Sequence, residues 1–380
     1  MLLENILIVD FSQFLSGPSA SLRLADFGAE VIKFERTVTG DICRSLYVSD
    51  VKVEGESTIF HAINRNKKSF TVDLKTPDGL EKVKKIIASA DVLIHNFRPG
   101  VMESLGLSYE EACAIHPEII YAEISGYGTE GPWRDRPGQD LLVQAVSGLT
   151  FLSGQKDDPP IPMGVSISDI YSGAHLVQGI LAALYQKNRT GKGAKVQVSL
   201  LESILDFQFE VITCYYNDGH HLPVRSKINN ANAFVAAPYG IYKTKDSYLA
   251  LAMSSITVLG ELLKCPSLSI YNNSTQWFSK RDEIKLILSD RLKTQNTRYW
   301  LDILEPADIW TAEILDYARL IDHHGYEVLK MEQDVFFGDG FKLKTTRCPV
   351  RVNGERLISP MGAPSLGEHN LELEKKFGLT

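Results

Sequence analysis

The sequence predicts an α/β fold: a doubly wound, mostly parallel sheet of Rossmann-like type in a large domain, with a smaller α+β domain inserted into it. Three observations predict it. The first third alternates short apolar runs with amphipathic helical segments, the middle changes to hairpin-like and helical patterns, and the end returns to short strands and Gly/Pro turns. At 380 residues the chain also exceeds the usual size of a single core, so two domains are expected.

The elements justify this in order. ILIVD (6–10) is a short apolar run suited to a buried strand. SGPSASLRLADFG follows as a helix, with Ser16 near the cap, Pro18 in the first turn and Gly28 as the stop, and AEVIKFE reads as the next strand. The alternation continues with SFTVDL as strand, PDGLEKVKKIIASA as amphipathic helix, DVLIHN as strand, a helix over Tyr109–Ile115 and EIIYAEIS as strand. Successive strands joined through helices pair in parallel, because only a long crossover returns the chain in the same direction. After Gly138, QDLLVQAVSGL and the stretch from Ser172 to Lys187 read as helices, and Val177, Ile180, Leu181 and Leu184 form a core-facing stripe on the second. RTGKGAKVQVSL predicts a turn and a strand, and LLESILDFQFEVITCYY one long helix. From about Arg225 to Leu329, YGIYKTKDSYLALAM predicts a hairpin and RDEIKLILSDRL and NTRYWLDILE predict helices, which makes the smaller unit.

Composition narrows the function. A net charge of -7 disfavours general nucleic-acid binding, which needs a basic surface to neutralise phosphates. No apolar run approaches the roughly 18 residues of a membrane span. The start, MLLENILIVD, lacks the positive region and cleavage site of a secretory signal, so a cytoplasmic protein is expected. Five cysteines, far apart and odd in number, argue for reduced thiols rather than a disulfide framework or a zinc site.

The first strand-to-helix turn, FSQFLSGPSA, contains no GxGxxG, which disfavours a nicotinamide enzyme. HNFRPG follows the strand DVLI directly and offers a binding loop with Arg98, and Arg36 ends the strand-like VIKFER in the same favoured position. NRNKKS (Asn64 to Ser69) precedes its strand, so its cations are either a solvated face or a phosphate site. GYGTEG is either a flexible loop or one whose amides contact a ligand. The pairs at His220 and His323 read as surface or helix-end residues. In SDIYSGAH, Asp169 stands at the start of a helix. A cap is one reading, since carboxylates accept from first-turn amides; a nucleophile kept ionised by those amides is the other.

Taken together, LSGPSASLRLADFGAEVIKFER, Gly40-Asp41, NRNKKSFTVDLKTPDG, ADVLIHNFRPGVMESLGL, ISGYGTEGP, the D-I-Y-S-G stretch, RTGKGAKVQVSLLES and APSLGEHN resemble the class III CoA-transferase family of CaiB/BaiF type, which includes formyl-CoA and carnitine CoA-transferases. The resemblance spans nearly the whole chain. It implies that Asp169 is a nucleophile working through aspartyl anhydride and aspartyl-CoA thioester intermediates, moving CoA from an acyl-CoA thioester to a free carboxylic acid. It implies that Arg36, Lys75, Asn96 and Phe97 contact CoA, which enters as substrate, and Arg98 of the HNFRPG loop is expected to bind it as well; no metal and no permanently bound cofactor are expected. The implied architecture is a discontinuous large domain, 1–215 with 335–380, a small domain, 225–329, and a homodimer whose chains pass through each other like links. The family also holds 2-methylacyl-CoA racemases with a G-H-D triplet; here it is Gly138, Gln139 and Asp140, and an amide cannot accept the α-proton. A racemase-type isomerase and a non-catalytic CoA-binding protein stand as the alternatives, and Asp140 is left without a role. Formyl-CoA transferases carry a glycine run where this chain reads ALAMSSITVLGE, and a polar and a basic residue where it has Leu15 and Ser104, so their oxalate and formate specificity is not implied.

Overall fold

The computed structural model describes residues 2–46, 51–53, 55–338 and 340–379. Six short strands form the central sheet: β1 (Leu7–Asp10), β2 (Glu30–Glu35), β3 (Lys68–Thr71), β4 (Val92–His95), β5 (Ile120–Ser125) and β6 (Ala194–Ser199). Their order is β3-β2-β1-β4-β5-β6 and every pairing is parallel, with Val9 opposite Ile32 on one side and Leu93 on the other. The doubly wound sheet expected from the alternation is present. Because the winding reverses between β1 and β4, the loops leaving these two strands diverge and open a crevice at the carboxyl edge.

Strand alternation gives the sheet two buried faces. On one, Val9, Phe11, Ile32, Phe34, Phe70, Leu93 and Tyr121 join an apolar cluster with Val83, Ile86 and Ile87 of the helix Pro77–Ile87, Ala112 of the helix Tyr109–Ile115, and Leu373 of the helix Asn370–Phe377. On the other, Ile8, Val31, Ile94 and Ala122 are buried beneath the helices Ser16–Asp26 and Ile167–Thr190. These two helices approach closely because Gly173 has no side chain: a Cβ there would lie 2.3 Å from the Ser19 Oγ and 2.8 Å from the Ser16 carbonyl oxygen.

The second face also buries charge. Lys33 pairs with Asp41 at 2.7 Å, both side chains being 0% exposed. Arg44 donates two hydrogen bonds to Glu35, of 2.8 and 2.7 Å, and the Lys67 Nζ donates to Asn64 at 2.9 Å and to the Pro18 carbonyl at 3.0 Å. Lys67 also reaches Asp10 at 3.4 Å. The cations of NRNKKS are therefore neither a solvated face nor a phosphate site. Arg65 and Lys67 are both 1% exposed, Arg65 holding Asp26 through bonds of 2.6 and 2.8 Å, while Lys68 bridges Glu30 and Glu372. Their positive charge neutralises carboxylates inside the fold, which a local run of letters does not reveal.

The chain divides into two compact units, Met1–Val143 with Ser166–Phe207 and Val328–Thr380, and Gln144–Val165 with Gln208–Glu327. In the second, Gly240–Lys243, Tyr248–Leu251 and Thr311–Glu313 form an antiparallel sheet, the first two being the expected hairpin. Its core centres on Trp300, fully buried, whose Nε1 donates to the Leu292 carbonyl at 2.7 Å. The predicted long helix after β6 is two helices, Leu200–Phe207 and Phe209–Asn217, broken at Gln208 (φ −101°, ψ 14°) where the chain passes from one unit to the other. No helix of the described residues is long and apolar enough to cross a membrane.

Candidate active site

A cleft of about 770 Å³ opens at the carboxyl edge of the sheet, within the first unit. Its apolar floor includes Phe11, Phe34, Val72 and Phe97, and Phe11 stacks on Phe34 with ring centroids 4.7 Å apart. Arg36, Lys75 and Arg98 also line it and are exposed, so their charges face solvent where an anionic ligand would enter. An apolar floor under a rim of cations suits a ligand with a flat ring and several phosphates. Arg36, Lys75, Phe97 and Arg98, which came from three separate stretches of sequence, thus line one cleft. A hollow of about 480 Å³ in the second unit is lined by Ala250, Trp310, Glu305 and Asp308 among others and carries no cation, so it lacks that chemistry.

Asn96 lies outside this lining and is spent on backbone. Its Oδ1 accepts from the Gln13 N–H at 2.8 Å, and its Nδ2 donates to the Gln13 carbonyl at 2.6 Å and to the Ser16 Oγ at 3.2 Å. The next residue, Phe14, has φ of 63°, a conformation that strains a residue with a side chain. Asp41 Oδ1 accepts from Phe14 N–H at 3.4 Å and from Cys43 N–H at 2.9 Å, while the Cys43 Sγ donates to the Phe14 carbonyl at 3.3 Å. The turn after β1 is therefore pinned by side chains from several segments, as strained functional turns must be.

Asp169 is not among the residues that line the cleft, but the turn lies between the cleft and the helix that carries it. Gln13 lines the cleft, whereas Ser16 contacts Gly173, one helical turn after Asp169. Asp169 is the third residue of the helix Ile167–Thr190, whose N-cap is Ser166. It does not cap that helix. The capping function falls to Asp140, whose Oδ1 accepts from the Ser168 N–H at 2.8 Å and the Ser168 Oγ–H at 2.5 Å. Among the described residues, neither a hydrogen bond nor a cation is paired with the Asp169 carboxylate. Burial first, and then the charge of Asp140, push its pKa up to about 7. The buried Cys43, close enough to feel Asp169, has its thiol pushed up to about 12 by burial and then Asp41, so it stays protonated and is no rival nucleophile.

The profile of CoA-transferase family III matches residues 3–370. The chain belongs to that family. It is 36% identical over 386 residues to the succinyl-CoA:glutarate CoA-transferase of Mus musculus, covering 98% of this chain and 86% of that one. The acetyl-CoA:oxalate CoA-transferase of Acetobacter aceti is 31% identical, with 98% and 95% covered. A CAIB/BAIF family protein from Brucella suis, known as a crystal structure, superposes with a TM-score of 0.85 at 29% identity over 98% of both chains. This protein is accordingly a family III CoA-transferase, and CoA thioesters are its substrates.

In the transferase, two features near Asp169 escaped sequence reasoning. Gly126 and Gly138, at the ends of the GYGTEG-containing loop, touch through their backbones: a Cβ on Gly138 would lie 2.4 Å from the Gly126 Cα. The bond between Asp140 and Ser168 joins residues 28 apart in sequence. The only signal for it was the acidic residue following Gly138-Gln139, whose partner no spacing rule identifies.

Proposed function

We propose that this transferase carries CoA through Asp169, with CoA held in the first unit by the cleft of Arg36, Lys75, Phe97 and Arg98, and Asn96 fixing the turn between them. The Asp169 carboxylate attacks the carbonyl carbon of the donor thioester, the C–S bond breaks, and CoA leaves as thiolate. The thiolate then attacks the aspartyl carbon of the mixed anhydride, releasing the donor acid and leaving an aspartyl-CoA thioester. An acceptor carboxylate displaces the thiolate again, and the thiolate attacks the acceptor's acyl carbon to give the new acyl-CoA and free Asp169. Every step exchanges one carboxylate or thiolate for another, so no net oxidation occurs.

The observation that carries this reading is the state of Asp169: largely buried, paired with no cation among the described residues, with its pKa raised to about 7. A structural carboxylate in such a position would find a partner. Asp169 instead keeps its lone pairs available and its basicity high, which favours attack on carbon. As acceptors we propose small dicarboxylic acids, since both named relatives use one, glutarate or oxalate, and as donor succinyl-CoA or acetyl-CoA. The working form in this reading is the interlocked homodimer.

Oxygen isotopes test the scheme. With an acceptor acid labelled with ¹⁸O in both carboxylate oxygens, one label stays on Asp169 in the first turnover and leaves in the donor acid released by the next. Mass spectrometry of the released acid after many turnovers should find one ¹⁸O. Release of unlabelled donor acid throughout would refute the anhydride route.

A further inference from the structure

We propose that Asp140 is a positioning residue for the transfer reaction: by accepting both hydrogen bonds of Ser168 it fixes the first turn of the Asp169 helix and aims the neighbouring carboxylate at the thioester. The inference rests on the reading of Asp169 as nucleophile and goes beyond it.

The geometry is that of a clamp. Ser168 is fully buried and immediately precedes Asp169, so any rotation of its peptide swings the Asp169 side chain. One oxygen of Asp140, itself 7% exposed, takes the Ser168 N–H at 2.8 Å and the Ser168 hydroxyl at 2.5 Å. Both freedoms of Ser168 are thereby removed. Asp140 is anchored in turn: two residues earlier, Gly138 lies against Gly126 at the end of β5, and the Gly126 carbonyl accepts from the Leu201 N–H at 3.1 Å. A line of backbone contacts thus runs from the rigid sheet through Gly126 and Gly138 to Asp140, and from there to Ser168 and Asp169. Positions set from a sheet are held more tightly than those left to a loop, and transfer to a carbonyl carbon is sensitive to displacements of about 1 Å.

Charge gives Asp140 a second effect. The charge acting on Asp169 is that of Asp140, and Asp169 itself acts on the protonated Cys43 thiol, around which Lys33, Asp41 and Lys67 gather. Asp140 therefore works in the same direction as burial, keeping a proton on Asp169 in the absence of substrate.

Variants of the full chain separate these effects. Asp140→Ala removes clamp and charge together, and kcat should fall roughly ten- to a hundred-fold while KM for acyl-CoA changes less than about two-fold. Asp140→Asn retains an acceptor oxygen but not the charge: it should recover part of the lost kcat and shift the acid limb of kcat/KM to lower pH. Ser168→Ala, which keeps the backbone donor, should show the smallest loss. Near-UV circular dichroism checks folding. Should Asp140→Ala fail to fold, an unaltered acid limb in Asp140→Asn together with an unaltered single-turnover rate in Ser168→Ala would overturn the proposal. Intact-mass detection of the CoA thioester on Asp169 separates the two levels of inference. Its absence from the wild type refutes the nucleophile itself; its formation in wild type and Asp140→Ala at the same rate leaves the nucleophile standing and refutes the clamp.

Discussion

Asp10 and Glu35 are buried in the network that holds β1 and β2 to their surroundings, and Asp169 is largely buried in the helix that covers the same sheet, yet their acids move in opposite directions. Burial raises all three. For Asp10 the cations of Lys67 and Lys33 and the hydroxyls of Ser12 and Ser21 more than offset it, and for Glu35 the bonds from Arg44 do the same, so both stay below the usual carboxylate range. Among the described residues Asp169 has no cation paired with it and meets a second carboxylate instead, and its acid rises to about 7. The difference teaches that burial alone does not identify a reactive group. What separates the two is whether the fold supplies a counter-charge: where it does, the carboxylate serves stability, and where it withholds one, chemistry is available.

The comparison can be broken by exchanging the two situations. The largest effect is expected at the reactive end: Asp169→Ala should lower transfer by about 10⁴-fold, with CoA binding and folding retained. A loss of fold instead, seen by circular dichroism, would return Asp169 to the structural class. At the other end, Lys33→Met leaves Asp41 buried and uncompensated, and urea unfolding should show a loss of about 3–5 kcal/mol. Next in size, Arg36→Ala or Lys75→Ala should each raise KM for acyl-CoA roughly ten-fold with little change in kcat, as expected for one charge-assisted contact to a phosphate.

The smallest effect is on stability against pH, and its sign distinguishes the two classes. Asp169 has a folded pKa near 7 against an ordinary value of 3.8, so between these limits the folded state binds more protons and stability falls as pH rises. Asp169→Asn removes that penalty and should stabilise the protein at pH 8, while leaving it unaffected below pH of about 4. Asp10 and Glu35, with lowered values, act oppositely: their contribution is present above the unfolded values of 3.8 and 4.5 and is lost as acid protonates them below that. Catalysis should follow the ionisation of Asp169, with kcat/KM rising towards a plateau through pH of about 7.

Much of the fold was legible in the sequence because it is written locally. Strand and helix periods alternate cleanly through residue 125, and five of the six parallel strands follow from them, the sixth being the strand expected in RTGKGAKVQVSL. The helix at Tyr109–Ile115 was legible to the residue. Less legible were features decided by distant partners. The break at Gln208 interrupts a continuous apolar pattern, and the C-terminal helix Asn370–Phe377 gains its place through Leu373 in the core, a contact with no local sign. At the site, Lys75 and Phe97 were named through resemblance and Arg36 and Arg98 also from their places at strand ends, and all four line one cleft, but Asn96 is committed to the Gln13 backbone. Whether Asp169 capped its helix could not be read from SDIYSGAH, since the answer depends on Asp140, folded against Ser168 from elsewhere in the chain.

The central claim is that a carboxylate left without a counter-charge bonds transiently to the acyl group and then to CoA. Treating the transferase with succinyl-CoA in the presence of hydroxylamine, followed by peptide mass spectrometry, tests it directly. A hydroxamate on the Asp169 peptide, formed only when thioester is present, is the predicted result. A protein that turns over succinyl-CoA and acceptor at full rate while Asp169 remains unmodified would contradict it.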